Sequence, residues 1–368
     1  MKKLLLVGGG HAHVFILNTL RQQKWLGIRV ALLSPSRYQY YSGMFSGFIE
    51  GLYSLEQIRI DLAHLCALAD VEYIEGTALS IDPEKKAVFT DRSDIIEYDA
   101  VSFDIGSLTA NMDVPGVREY AEIIKPNYLL PQTIDRLTPD DRIIVVGGGA
   151  SGIELSLAFQ ARGKNVNGRS PSVSLISADR LFNHGEQRFS RKLESIMQRK
   201  GVRFVSHDPV IEVREKEIAT QSGLQLPYDK LFWLTGPKAP ELFYKSHLPV
   251  DERGYLLVEH TLQVKGMPSI FGVGDCIAMD GFPLIPKAGV YPVRQAPILW
   301  ENLKRYFSGD QTKPFHPQAS FLSILSTGGR EAFLIYKGVA LHGKLAWTIK
   351  NYIDTNYMNK FKYRGRFV

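Results

Sequence analysis

"RIIVVGGGASGIEL", residues 142–155, decides the fold. An apolar run, Arg142–Val146, meets Gly147, Gly149 and Gly152 at full G-x-G-x-x-G spacing, then passes into Ile153–Arg162, which carries apolar residues on one helical face. Each glycine has its own mechanical use. The first permits a tight turn, the second lets the backbone approach a pyrophosphate and the third lets the helix pack close to the strand, while the helix N-terminus attracts the anion. With a strand before it and a helix after it, the spacing predicts a nucleotide loop rather than a merely tight turn. Ser151 and Glu154 open the helix, where an acid is either favoured by the helix dipole or placed against the ligand. The next strand, Val173–Ile176, ends at Ser177 with Asp179 and Arg180 beyond, where an acid that bonds the adenosine ribose belongs. Serine beside arginine suits the 2′-phosphate of NADPH and Asp179 suits the ribose of NADH, so both nucleotides stay open.

The same pattern opens the chain in "LLLVGGGHAHVF", residues 4–15. Leu4–Val7 reads as a strand, His13–Gln23 as a helix, and Ile28–Leu33 and Val71–Ile74 as further strands, which is the βαβ order of a parallel sheet. Two such openings in one chain mean a duplicated architecture. The first loop is irregular, however. It has Gly8 and Gly10 but His13 in the third place, and its second strand ends at Ser34 rather than an acid. A side chain at position 13 is expected to push the helix off the strand unless the ring points outward. His11-Ala12-His13 has no third ligand nearby and starts a helix, a poor place for a cation, so no metal is expected.

The pattern breaks over Asn111–Pro126, a crossing between domains. Late in the chain a strand, Ser269–Val273, leads into Gly274-Asp275. Paired with an N-terminal dinucleotide loop, it is expected to return to the first sheet and present Asp275 to a cofactor's hydroxyls. Ala296–Phe307 reads as a helix stopped at Ser308-Gly309, Ser320–Leu325 and Glu331–Tyr336 as strands, and Lys344–Phe361 as a helix. The expected fold is α/β, with two Rossmann-like dinucleotide-binding domains and a small C-terminal region. Residues 1–112 and 247–312 form the discontinuous first domain, 113–246 the second and 313–368 the remainder.

Composition narrows the function. The 368 residues allow two or three domains, and the two cysteines, Cys66 and Cys276, form no C-x-x-C pair. The net charge of +6 is concentrated after residue 336, where Lys337, Lys344, Lys350, Lys360, Lys362, Arg364 and Arg366 are opposed by Asp354. A neutral body argues against a nucleic-acid partner, which would need a basic face. The charged start Met1-Lys2-Lys3 resembles a secretion signal, but its apolar run stops at Gly8 with no cleavage site after it. No run approaches the roughly 18 apolar residues of a membrane span. The expected location is therefore cytoplasmic, or peripheral on the inner face of the membrane. In the tail, Leu345, Ile349, Tyr352, Ile353, Tyr357 and Phe361 share a helical face beside lysines and a basic aromatic end, Phe361–Phe367. That face suits a lipid interface, or packing on the protein's own core or on a second subunit of a homodimer.

These loops, with "IFGVGD" and their order, resemble the flavoproteins of the pyridine nucleotide-disulfide oxidoreductase superfamily, which hold FAD in a first domain and NAD(P)H in a second. The likeness is nearer to type II NADH dehydrogenases and to the flavoprotein module fused to selenophosphate synthetase. It is carried by "GGGHAHV", "SPSRYQYYSGMFSGFIEG", "DIGS", "VPGV", "GGGASGIEL", "PKAGVYPVRQAPILWENL" and "FLSILSTGGREA". The resemblance implies that Gly8, Gly10 and His11 contact the FAD pyrophosphate, and Ser34 with Arg37 the adenosine side. It puts Ser42 and Gly43 near the isoalloxazine and Gly274 with Asp275 on the ribityl and phosphate, and adds Ala78 and Gly106 to the FAD-binding set. Lys287, Ala288, Gly289, Val290 and Tyr291 would lie along the pyrimidine edge, with Ser42, Lys287 and Tyr291 tuning the flavin. Gly147, Gly149, Ser151, Gly152, Glu154, Ser177, Arg180, Thr235 and Gly236 would hold NADH or NADPH. The activity implied is an FAD-dependent NAD(P)H dehydrogenase passing electrons to a quinone or another small acceptor. The alternatives are a flavin oxidoreductase of selenium or sulfur metabolism and a flavin-binding redox sensor. Gly289–Arg294 lacks both glutamines of the quinone-lining run of type II enzymes, and no cysteine pair of the disulfide reductases is present.

Overall fold

The computed structural model describes residues 1–138, 140–167, 171–183, 185–283 and 285–362. Two parallel cores organise it. The larger sheet runs Ile277–Met279, Leu256–Val258, Gln263–Val264, Met267–Gly272, Ala100–Phe103, Lys2–Val7, Ile28–Ser34, Glu72–Glu75. Leu4, Leu5, Leu6 and Val7 are all buried, as expected for a central parallel strand covered on both faces, which reads as an unbroken apolar run. The second sheet runs Arg203–Val205, Ser172–Ile176, Arg142–Val146, Lys230–Trp233, every pair parallel. In both sheets the strand leading into a glycine loop sits where strand order reverses, which opens a crevice at the strands' carboxyl ends. Met267–Gly272 pairs in parallel with Ala100–Phe103, so the Gly274-Asp275 turn returns beside the first loop.

Some elements differ from expectation for identifiable reasons. The helix expected from Ala296 starts at Val290. Pro292 is tolerated there because it falls in the first turn, where a missing N–H loses no intrahelical bond. The C-terminal unit has a third strand, Val339–Gly343, joined to Ala332–Tyr336 by a two-residue turn at Lys337-Gly338. Both turn residues have positive φ (45° and 76°), the geometry that suits the twist of a tight hairpin. The final helix, Lys344–Asn359, buries Ala346, Asp354 and Met358, while Leu345, Tyr352 and Ile353 face outward. The apolar face read from the sequence is therefore divided, part of it packed and part on the surface, because the contact seam is partly polar. Of the basic aromatic end, Tyr363, Arg364, Gly365, Arg366 and Phe367 lie outside the described residues.

His13 resolves the irregular loop. In the second loop a Cβ on Gly152 would lie 1.8 Å from the Gly147 carbonyl oxygen, so only glycine fits. In the first loop the imidazole of His13 points inward, fully buried, and its Nδ1 lies 2.6 Å from the Gly8 carbonyl oxygen. A carbonyl only accepts, so Nδ1 carries the proton and Nε2 accepts from the Ser102 hydroxyl at 2.9 Å. The contact that a third glycine makes by close approach is made here by a hydrogen bond. Burial pulls the His13 pKa down to about 4, which keeps the ring neutral. The unfolded chain therefore binds its proton first on acidification, and the ring's contribution to stability falls between pH ~6.5 and ~4. His13→Gly should lower the unfolding free energy by about 2 kcal/mol at pH 7, since it strands a buried hydroxyl and leaves a void. Urea unfolding of both proteins should show that gap narrowing toward pH 4.

Candidate functional site

The first crevice lies between the ends of Lys2–Val7 and Ala100–Phe103. Gly8 turns there with φ 92°, and a Cβ on it would meet the Asp104 carbonyl oxygen at 2.4 Å. The helix His11–Gln22 points its N-terminus into this space, and Asp104 caps it by accepting the N–H groups of Ala12 (2.8 Å) and His13 (3.3 Å). Desolvation pushes the Asp104 pKa up to about 7. Gly274, also at positive φ, donates its N–H to the buried Gln295 side chain at 2.8 Å, which ties the late turn to the helix Val290–Ser308. Asp275 then faces Lys125, 4.0 Å away, whose ammonium donates to the Ser107 hydroxyl at 2.7 Å. Lys125 and Ser107 are half-buried and buried respectively, and neither was singled out in the sequence. Gly106 turns next to them with φ 70° and open space where a Cβ would go.

Other expected residues are more committed to the protein. Ser34 donates to the Ser36 carbonyl, and Arg37 makes a bidentate pair with Asp61, at 3.1 and 2.7 Å to one carboxylate oxygen. Ala78 begins a surface strand, Ala78–Asp82. Lys287 donates to the Ile277 carbonyl and lies 3.8 Å above the Tyr255 ring, and burial lowers its pKa to about 8. Ala288 and Gly289 lead into the helix at Val290, and Tyr291 is buried with its ring edge-on to Phe321. His11 lies at the crevice mouth, its ring 5.6 Å from Tyr41, with Nε2 3.9 Å from where a Cβ on Gly289 would be.

The second crevice divides its glycines as the motif predicts. A Cβ on Gly147 would lie 2.4 Å from the Leu234 carbonyl oxygen, Gly152 is closed by Gly147, and Gly149 has nothing within 4 Å. Only the second glycine faces open space, the geometry a backbone needs to approach a pyrophosphate. Ser151 is exposed in the first turn of the helix Ala150–Asn167. Gly236 is likewise open, whereas the Thr235 hydroxyl donates to the Ala110 carbonyl at 2.6 Å. Ser177 is buried behind Gly148 and accepts the Asp179 N–H, and Arg180 donates to the carbonyls of Asn183 and Gly185. Glu154 lies away from the loop and accepts the Ser326 N–H at 2.7 Å, which pins the C-terminal sheet to the second unit.

A buried polar junction joins all three parts. Lys350, on the tail helix, donates to the Gly43 carbonyl (2.6 Å) and to Asp354 (2.9 Å). Tyr41 donates to the other oxygen of Asp354 at 3.0 Å. Glu154 is close enough that Lys350 pulls its pKa down against a larger desolvation that raises it. Tyr53 donates to Asn351 at 2.7 Å, and Glu50 accepts the Gly329 N–H at 2.9 Å with its pKa raised to about 7 by burial. The tail is thus clamped over Tyr41-Ser42-Gly43, the turn Ser42–Met44. No sequence signal marks these pairings, since Lys350 and Asp354 look like an ordinary exposed i,i+4 pair.

Two dinucleotide crevices, one at the switch point of a mixed, mainly parallel sheet and one at that of a parallel sheet, define a two-nucleotide oxidoreductase fold. Residues 2–293 match the pyridine nucleotide-disulphide oxidoreductase family, and the chain belongs to it. The NADH dehydrogenase-like protein YutJ of Bacillus subtilis is 23% identical over 339 residues, covering 90% of this chain and 91% of that one. Demethylphylloquinone reductase NdbB of a Synechocystis species is 24% identical over 371 residues, covering 94% and 89%. Among solved structures, NDH2 from Plasmodium falciparum in complex with NADH superposes with a TM-score of 0.79 at 16% identity, covering 99% of both chains.

The junction makes a stability prediction. Lys350→Met leaves Glu154 and Asp354 buried without their cation, which should cost about 3–5 kcal/mol. Glu154 is already harder to ionise than a free carboxyl, so it takes up a proton as the pH falls and part of the loss returns. Denaturant unfolding of both proteins at pH 8 and pH 5 should show the larger deficit at pH 8.

Proposed function

We propose that this protein is an FAD-dependent NADH dehydrogenase that passes electrons to a quinone. The observation that carries the proposal is the pair of crevices, one with open space over Gly149 and one lined by Gly8, Gly10, His11 and Gly274. FAD, when bound, supplies the redox chemistry, taking a hydride from the nicotinamide and releasing electrons to the acceptor. The chain's own work is positioning and electrostatics, and the hydride step needs no side-chain acid or base. In this reading residues 1–112 and 247–312 hold FAD, with Asp275, Lys125 and Ser107 along its ribityl side, and 113–246 hold the nicotinamide nucleotide. Because the Lys287 ammonium is spent on a carbonyl, the helix N-terminus at Val290 is the better source of positive potential for the reduced flavin.

NADH is favoured over NADPH because the Ser177 hydroxyl accepts the Asp179 N–H and one Arg180 nitrogen is spent on the carbonyls of Asn183 and Gly185, which holds that side chain in its own loop. A quinone is favoured over sulfur or selenium chemistry for two reasons. Both cysteines are buried, with thiol pKa values pushed up to about 12, the reverse of what a redox thiol needs. The relative from Synechocystis is named as a quinone reductase. Membrane contact fits the same picture. No helix among the described residues is long and apolar enough to cross a membrane, yet Leu345, Tyr352 and Ile353 on the tail helix, and Val339 and Leu341 on the neighbouring strand, are exposed. With Lys337 and Lys344 beside them they suit a headgroup interface, where a lipid-soluble acceptor is found.

Mixed anaerobically with NADH in a stopped-flow instrument, the yellow protein should bleach rapidly, and reoxidise on adding a quinone. A flavin that neither NADH nor NADPH reduces would refute the dehydrogenase. Gly149→Val should keep the fold and bound flavin but slow reduction at least tenfold at fixed NADH, because its side chain fills only the open space. Leu345→Glu with Tyr352→Glu should lower co-sedimentation with anionic liposomes severalfold, with the rate of NADH bleaching unchanged.

A further inference from the structure

One buried polar atom of the tail helix has no hydrogen-bond partner among the described residues. Tyr357 lies one turn beyond Asp354, stacked on Tyr41 with ring centroids 4.7 Å apart and 5.7 Å from the ring of His11. Its position is fixed from both sides. Tyr41 is tied to Asp354, Met358 is buried, and Phe361 meets the Tyr357 ring edge-on at 5.1 Å. The phenol oxygen is shielded from solvent and bonds no described residue. A buried hydroxyl without a partner is costly, so an acceptor brought by a ligand would relieve that cost.

The surroundings say what that acceptor is. The ring of His11, first residue of the helix His11–Gln22, lies against the Tyr357 ring, and Asp104, which caps that helix, acts on the phenol, so Tyr357 borders the space over the helix N-terminus. Burial, with a smaller push from the nearby Asp104 carboxylate, raises the Tyr357 pKa well above its usual value, so the phenol stays a donor. Yet Asp104 is no hydrogen-bond partner of Tyr357: its carboxylate takes the N–H groups of Ala12 and His13, and the N–H of His11 is not among those it caps. The Tyr357 O–H and the His11 N–H, the first-turn donor that Asp104 leaves uncapped, border one space and together select an anionic oxygen.

We propose that the Tyr357 hydroxyl donates a hydrogen bond to the pyrophosphate of FAD, so that the tail helix completes the FAD site and closes it over Tyr41. This rests on the FAD reading of the first crevice. It gives Glu154, Lys350 and Asp354 a purpose beyond packing, since they hold the element that carries the donor. Tail docking and cofactor retention become one equilibrium, because a displaced tail removes a phosphate contact.

The test uses full-length protein stripped of flavin and titrated with FAD and with riboflavin, read by quenching of flavin fluorescence. Tyr357→Phe keeps the stack on Tyr41 and loses only the hydroxyl. The dissociation constant for FAD should rise about tenfold while that for riboflavin, which has no phosphate, stays the same. Unchanged FAD affinity overturns the proposal, and so does equal weakening toward both ligands, which would mean that the hydroxyl serves the fold alone. Tyr357→Leu, which also removes the stack, should weaken both ligands, and identical behaviour of the Phe and Leu variants likewise counts against a phosphate contact. Wild-type protein that binds no flavin at all would instead refute the FAD reading on which the proposal rests. Wild-type protein that binds FAD and is bleached by NADH leaves that reading standing whatever Tyr357→Phe does.

Discussion

Gly8 and Gly147 each carry the chain so tightly across the neighbouring strand that a Cβ would lie 2.4 Å from a carbonyl oxygen, that of Asp104 in one case and of Leu234 in the other. This approach of backbone to backbone at the reversal of strand order aims two helix N-termini into two crevices. Everything chemical in the protein is arranged around those crevices. The turn at Gly274 comes back beside the first, and the Thr235-Gly236 loop lies beside the second.

The two loops reach the same end by different means. In the second, glycine at position 152 lets the helix settle against the Gly147 carbonyl. In the first, the His13 imidazole fills that gap and bonds both Gly8 and Ser102. The hydrogen bonds offset the extra volume, and the cost is a ring that must stay neutral. A pattern search that penalises the missing glycine reads this loop as degenerate, although the loop is intact.

The tail shows the opposite relation of pattern to packing. Its apolar residues share one face in sequence, suited to a lipid interface or to packing, yet the seam that meets the body is Ala346, Lys350, Asp354 and Met358, spaced four apart. Lys350 and Asp354 are buried there because Gly43, Tyr41 and Glu154 supply partners that come from hundreds of residues away in sequence. The displaced apolar residues are left on the surface beside basic ones. One helix therefore offers a polar seam to the protein and an apolar face to its surroundings.

The sequence by itself determined the parallel sheets, both glycine loops, the return of the late Gly274-Asp275 turn to the first sheet and most helices. These follow from local periodicity and from residue types that only one backbone geometry accommodates. It also carried the family resemblance that the match over residues 2–293 bears out. Tertiary structure alone decided that His13 points inward, that Asp104 caps the first helix, that Lys125 faces Asp275 and that Tyr357 sits over His11. Each of these joins residues far apart along the chain or depends on which way a ring turns. A sequence records residue types at each position, but whether a polar group is satisfied depends on what the fold brings within about 3 Å of it.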